Sequence, residues 1–229
     1  MAEFDKFSNT YSDVNNRDAI SITGFDLDYF NRYKIRDMLL ELEEKSLDPK
    51  CILDFGCGVG NSLVLFPEYF PKAHFVGVDV SLASIEVAKS KIKSDKIVAK
   101  SIQDEIDITP GSVDAVFSSC VFHHIPVESH KYWLSELYRT VKPGGSIMVY
   151  EHNPLNPLTQ YVFRNAEFDR DANMINATKF SKLFEMTGFH SIQVRYRVFF
   201  PKLFDRLMGA EKYLTRIPFG AQYYIFARK

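Results

Sequence analysis

Residues 51–61 read CILDFGCGVGN, and the fold is read outward from them. A short apolar run, Cys51, Ile52, Leu53 and Phe55, leads into Gly56, Gly58 and Gly60 at alternate positions. A buried strand that breaks into closely spaced glycines before a helix brings the backbone of an α/β domain against a ligand. Gly56 and Gly58 permit a tight turn and a close approach that a Cβ would obstruct. Glycine clusters also make ordinary turns, so this stretch alone leaves nucleotide binding and a plain turn both open. Spacing narrows the choice. A dinucleotide fingerprint of the G-x-G-x-x-G type needs glycine at 56, 58 and 61, and position 61 is Asn61. Nicotinamide and flavin cofactors are demoted accordingly.

The flanking pattern alternates strands with helices. A helix is expected over 28–45, where Tyr29, Tyr33, Met38 and Leu42 share one face, and Asp48-Pro49 ends it. After strand one (51–55) come a helix at 60–70, strand two at 74–79, and a helix at 82–93 capped by Ser81. Strand three falls near 96–100, Thr109-Pro110-Gly111-Ser112 is a turn, and strand four covers 113–119. A helix at 128–141 and the turn Lys142-Pro143-Gly144-Gly145 lead into strand five at 146–151. Alternation of this kind means a parallel sheet with helices on both faces. Residues 152–177, with two Asn-Pro pairs, show no clear period; a helix at 178–187 and strands at 189–198 and 221–228 follow. Residues 199–218 hold an apolar cluster (Phe199, Phe200, Leu203, Phe204, Leu207, Met208).

Composition bounds the answer. The 229 residues suit one domain, and 46% hydrophobic with 25% charged residues is ordinary for a globular protein. A net charge of −1 gives no basic surplus for wholesale nucleic-acid binding. Cys51, Cys57 and Cys120 are odd in number and read as reduced thiols, so the expected compartment is the cytoplasm. No apolar run approaches the roughly 18 residues that span a bilayer, and the N-terminus has no signal-peptide apolar region.

Two acidic positions sharpen the glycine loop. Asp79 ends strand two beside it, where a carboxylate can accept both hydroxyls of a ribose; a plain helix cap is the bland alternative. Gln103-Asp104 follows strand three, where an Asp side chain and a backbone amide can read the amino edge of adenine.

Together, ILDFGCGVGNSL (52–63), VGVDVS (76–81), Gln103-Asp104, DAVFSSCVFHHIP (114–126) and LYRTVKPGGSIMVYEHNP (137–154) resemble the class I S-adenosylmethionine-dependent methyltransferases. The resemblance covers about residues 50–151. It implies an α/β, Rossmann-like, seven-stranded, mostly parallel sheet with helices on both faces and the last strand antiparallel. It also implies one domain over 1–229, with 1–47 as an N-terminal helical cap and 152–177 and 199–218 as insertions near the acceptor. S-adenosylmethionine is the implied cofactor. Asp54, Gly56 and Gly58 would surround its methionine moiety, with Cys57 and Gly60 shaping the turn. Asp79 would hold the ribose, Val80 would pack on adenine, and Gln103-Asp104 would read the amino group. Cys120 would offer its backbone to the methionine ammonium, while Cys57 is read as a small loop residue.

Methyl transfer from a sulfonium needs alignment and exclusion of water, with a base where the acceptor is a hydroxyl. Candidate bases follow strand four (His123, His124) and strand five (Glu151, His152, Asn153); Tyr11 resembles an N-terminal tyrosine that some relatives place over the methyl group. Metal ligation is not expected, and His74, His130 and His190 read as surface or strand-end residues. Ser118-Ser119-Cys120-Val121 lacks the run of amino-purine enzymes, and Cys120 lacks the preceding proline of cytosine-C5 enzymes.

The expected acceptor is a small molecule or, as a further resemblance implies, a glycan or lipid-linked intermediate, methylated at oxygen or nitrogen. The two insertions and residues 219–224 resemble an unassigned bacterial subgroup associated with glycan or lipid-linked assembly. The Phe199–Met208 stretch, with Lys202, Arg206 and Lys212, suggests peripheral contact with a membrane, or else a packed helix or dimer contact. Two alternatives stand beside this reading: a cofactor-binding regulatory or scaffolding protein without turnover, and an NAD-type oxidoreductase.

Overall fold

The computed structural model describes residues 17, 19–21, 23–166 and 172–229. Its centre is a seven-stranded sheet of order β3-β2-β1-β4-β5-β7-β6. The strands are β1 (Cys51–Phe55), β2 (His74–Asp79), β3 (Ile97–Ser101), β4 (Val113–Ser119), β5 (Val141–His152), β6 (His190–Arg197) and β7 (Gln222–Arg228). Strands β1 to β5 pair in parallel, and β7 alone is reversed, running antiparallel to both β5 and β6. The helices are α1 (Leu27–Glu44), α2 (Phe66–Tyr69), α3 (Leu82–Lys91), α4 (His130–Thr140), α5 (Pro157–Asn165), α6 (Ala177–Thr187) and α7 (Glu211–Leu214).

The period of two along β5 shows how the sheet serves two cores. Ile147 and Val149 pack with Leu134, Leu137, Phe180 and Phe184 on one face; Met148 and Tyr150 pack with Ile35, Met38, Leu42 and Phe66 on the other. Between β1 and β4 the strand order reverses, so the chain leaves the carboxyl edge in opposite directions and opens a crevice there.

Polar contacts fix α1 across the sheet. Arg197 on β6 donates through Nε and Nη2 to Asp37 at 2.7 and 2.6 Å, and the buried Tyr150 hydroxyl donates to the same carboxylate. Tyr224 on β7 donates to Glu41 at 2.7 Å. Burial pushes the Asp37 carboxyl up, against the pull of Arg197.

The observed elements depart from the sequence reading in four places. The helix expected at 60–70 is the single turn α2, because the glycine loop runs on in turns to Leu65 and Pro67 fits only at a helix start. Strand five begins at Val141, because Lys142-Pro143-Gly144-Gly145 is a bulge opposite Asp114 within the β4–β5 pairing. A Cβ on Gly145 would lie 2.7 Å from the Asp114 carbonyl oxygen, and Lys142 Nζ bonds the Asp114 carboxylate at 2.6 Å. The aperiodic 152–177 stretch contains α5, whose N-cap Asn156 accepts from Thr159 N at 2.9 Å with Pro157 in the first turn. Finally, His130 is buried, its Nε2 lying 2.9 Å from the carbonyl oxygens of both Phe122 and Ile125.

Replacing Asp37 by Ala leaves Arg197 buried without its carboxylate. We expect a loss of about 3–5 kcal/mol in urea unfolding, and a loss below 1 kcal/mol would show that the pair is solvated.

Candidate active site

The glycine loop forms where β1 ends. The Val78 carbonyl oxygen accepts from both Gly56 N (2.8 Å) and Cys57 N (3.0 Å), which turns the loop back on β2. Gly56 has φ of +72°, and a Cβ there would stand 2.3 Å from Val121 Cγ2. Asp79 spans the loop and the next helix: Oδ2 accepts from Gly58 N and Oδ1 from Ser81 N, both at 2.8 Å. Ser81 caps α3 as expected, accepting from Ser84 N.

Two cavities meet at this loop. The larger, about 450 Å³, is bounded by Lys34, Asp54, Cys57, His123, His152 and Gln222, with an outer wall from α5. The smaller, about 180 Å³, is bounded by Asp79, Val80, Ile102 and Trp133. Gly56, Gly58, Ser119, Cys120 and His124 border both.

Asp54 points into the larger cavity from the end of β1. It is buried, and its Oδ2 has no hydrogen-bond partner. Burial, and then the charge of Asp79, push its carboxyl up to about 8.

Cys120 carries the opposite anomaly. Its φ of +57° lies in the left-handed region that a β-carbon disfavours, at the edge where functional strain collects. Lys34 Nζ lies 3.4 Å from its sulfur and Gln222 Nε2 3.6 Å, and Lys34 also bonds Ser119 Oγ at 2.9 Å. Burial would raise the thiol, but Lys34 and His152 outweigh it and hold it at about 6. Cys57 is different: burial and the nearby Asp54 and Asp79 push its thiol up, which suits an inert loop residue.

Beyond β4 and β5 lies a histidine cluster. His123 is buried, its Nδ1 2.7 Å from Glu151 Oε2, while Glu151 Oε1 accepts from Val121 N and Phe122 N at 3.1 and 2.7 Å. Burial works against the Glu151 carboxylate, but His123 and His152 overcome it and keep it below the usual range. The ring of His123 lies 4.0 Å from that of His124 and 5.1 Å from that of His152, between centroids.

Most of the residues singled out in the sequence converge here, and some do not. Asp54, Gly56, Cys57, Gly58, Cys120, His123, His124 and His152 border the larger cavity; Asp79 and Val80 border the smaller. Gly60 packs against Ala88 behind the loop. Gln103 and Asp104 are exposed and border neither cavity, because the chain turns outward after Ile102 and Tyr132 bonds the Asp104 carbonyl. Glu151 is spent on His123, and Asn153 on the carbonyls of Pro218 and Gly220. Tyr11 lies outside the described residues. The sequence reading missed Lys34 and Gln222; Lys34 precedes Met38 by four residues, so it shares the inward face of α1.

The family model described as "Methyltransferase domain" matches residues 52–145. Residues 52–145 are thus a methyltransferase domain of the kind found in S-adenosylmethionine-dependent methyltransferases. A trans-aconitate 2-methyltransferase of Rhodopseudomonas palustris is 28% identical over 121 residues, covering 53% of this chain and 46% of that protein. The chain spans about half the length, or less, of the curated relatives it matches. A crystal structure of a SAM-dependent methyltransferase from Archaeoglobus fulgidus superposes with a TM-score of 0.61 at 19% identity, covering 85% of this chain and 94% of that one. Phosphoethanolamine N-methyltransferase 2 of Haemonchus contortus, in complex with S-adenosylmethionine, gives 0.64 at 19% identity, covering 100% and 60%. At these identities the solved structures speak for the methyltransferase fold alone.

Two titrations follow from the site. Thiolate absorbance near 240 nm should reveal one cysteine ionising around pH 6; Lys34→Met should move it upward, since burial then prevails, and an unmoved midpoint would sever the Lys34–Cys120 link. For Asp54, the folded-state pKa of about 8 lies above the ordinary 3.8, so the folded protein holds a proton that the unfolded chain has lost. Stability is full below about pH 4 and declines toward pH 8, by up to ~1.4 kcal/mol per pH unit from this group. Asp54→Asn should flatten that decline in denaturant unfolding of the ligand-free protein.

Proposed function

We propose that the protein transfers the methyl group of S-adenosylmethionine to oxygen or nitrogen of a small-molecule, glycan or lipid-linked acceptor. The observation that carries this reading is the Asp54 carboxylate: buried, with Oδ2 unpartnered, on the cavity wall beside Gly56 and Gly58. A buried carboxylate without a partner is costly, and an ammonium in the cavity would complete it. The face of Gly58 is open, with no atom within 4 Å of where its Cβ would stand, so a ligand can lie against the loop backbone. At the other end Asp79 would take the ribose hydroxyls, with Val80, Ile102 and Trp133 flanking the base. These residues fit the cofactor without help from Gln103 or Asp104.

When bound, the cofactor supplies a methyl group already activated on a sulfonium, which leaves alignment and dehydration to the chain. His123 is the base we assign to a hydroxyl acceptor. Its Nδ1 lies 2.7 Å from Glu151 Oε2, a contact that fixes the orientation of the ring. His124 and His152 are assigned to the wall that orients the acceptor, and Leu158, Val162 and Phe163 supply an apolar side to it. The relative named for trans-aconitate keeps a small carboxylic acid among the acceptors worth testing.

Isothermal titration with S-adenosylmethionine should give saturable binding, weakened about 10–100-fold by Asp54→Asn, the worth of a charge-assisted hydrogen bond. Tritiated methyl transfer into fractionated extract then finds the acceptor. A folded sample that binds no cofactor, with Asp79→Ala indistinguishable from wild type, defeats the reading.

A further inference from the structure

The segment between β6 and β7 leaves its apolar side chains outward. The 3₁₀ stretch Lys202–Ala210 buries none of its residues, and Leu203 is 84% exposed, Tyr213 77% and Phe219 64%, with Phe204 and Leu207 exposed between them. Scattered exposed apolar residues are normal, but a run of this density in one segment marks an interaction surface.

Its charges are one-sided. Lys202, Arg206, Lys212 and Arg216 are all exposed, against a single exposed acid, Asp205, in a chain whose net charge is −1. The other acid, Glu211, is buried and faces inward, accepting from Tyr33 Oη at 2.5 Å and from Phe199 N at 2.8 Å. Basic side chains interleaved with exposed leucine and aromatic residues match an anionic lipid surface in both charge and polarity.

The ridge is firmly mounted. Asn153 donates to the carbonyls of Pro218 and Gly220, Asn156 donates to that of Phe219 at 2.7 Å, and Tyr29 Oη lies 3.9 Å from Met208 Sδ. It also borders the larger cavity. Val198 and Ala221, which bracket it in sequence, line that cavity, and so do the exposed Leu158 and Tyr161 of α5. We propose that residues 199–219 dock the protein on an anionic lipid bilayer, with the mouth of the larger cavity held toward the membrane surface. Docking stands independently of the methyl-transfer reading. Only its consequence, that a lipid-borne acceptor enters the cavity without crossing bulk water, rests on that reading.

The test is co-sedimentation of the full chain with vesicles of phosphatidylcholine alone or with about 40% phosphatidylglycerol. Binding is expected only to the anionic vesicles and is expected to fall with added salt. Leu203→Asp with Leu207→Asp, and separately Lys202→Glu with Arg206→Glu, should each weaken partitioning at least about tenfold. Wild type left in the supernatant with anionic vesicles overturns the proposal, as do variants that partition equally. Sedimentation velocity covers the second-copy occupant: self-association abolished by the leucine pair, without vesicle binding, assigns the ridge to a dimer and overturns lipid docking. S-adenosylmethionine titration of the same samples reports on folding and on the cofactor site, so its failure counts against methyl transfer and leaves the vesicle result standing.

Discussion

The site depends on one carbonyl that accepts twice. Val78 O holds Gly56 N and Cys57 N together, and so folds the end of β1 back over the end of β2. The turn works only with Gly56 in the left-handed region and Val121 packed where a Cβ would be. Val121 also donates to Glu151, which accepts from Phe122 and faces His123. One line of contacts thus runs from β2 through the glycine loop and the loop after β4 to the end of β5. A side chain at position 56 would push on Val121, and through it on the carboxylate that orients His123. The glycine-loop end and the histidine end of the cavity are set by the same packing.

The electrostatics of that cavity are unfinished in two ways. Asp54 is buried opposite the charge of Asp79 and is driven toward its neutral form, a state that costs free energy at neutral pH and that a cation would relieve. Lys34 is buried against Ser119 and Cys120. A lone buried lysine would repel a cationic ligand, but one paired with a thiolate adds little net charge. Against the burial that would raise it, Lys34 and His152 draw the Cys120 thiol down. Such local violations of good burial practice collect at functional sites, where a ligand completes what the fold leaves open.

The parts of the structure legible in the sequence are those where a local pattern has one physical solution. An apolar run ending in alternate glycines, with an acid at the end of the next strand, gave β1, β2, the loop and Asp79 with their bounds intact. The exposure of Asp104 was not foreseen because the direction of the chain after β3 depends on Ile102 being buried and on Tyr132 holding the Asp104 carbonyl, both contacts across the sheet edge. Lys34 escaped notice because a lysine on a helix is usually solvated, and only packing of α1 over β5 turns it inward. The helix α5 was hidden by its own start signal: Asn156-Pro157 is a cap and first turn, yet the pair reads equally well as a break.

The segment between β6 and β7 is harder to read for a reason visible in its construction. The ridge at 199–219 has almost no core of its own; Glu211, Asn153 and Asn156 hold it through polar contacts to backbone and to Tyr33. An element held by polar anchors need not spend its apolar residues on packing, so Leu203, Phe204 and Leu207 remain available to the exterior. Periodicity reports which face is buried, and a segment that buries no face gives it nothing to report. The same polar mounting that hides this segment from pattern analysis is what allows its surface to change without disturbing the sheet.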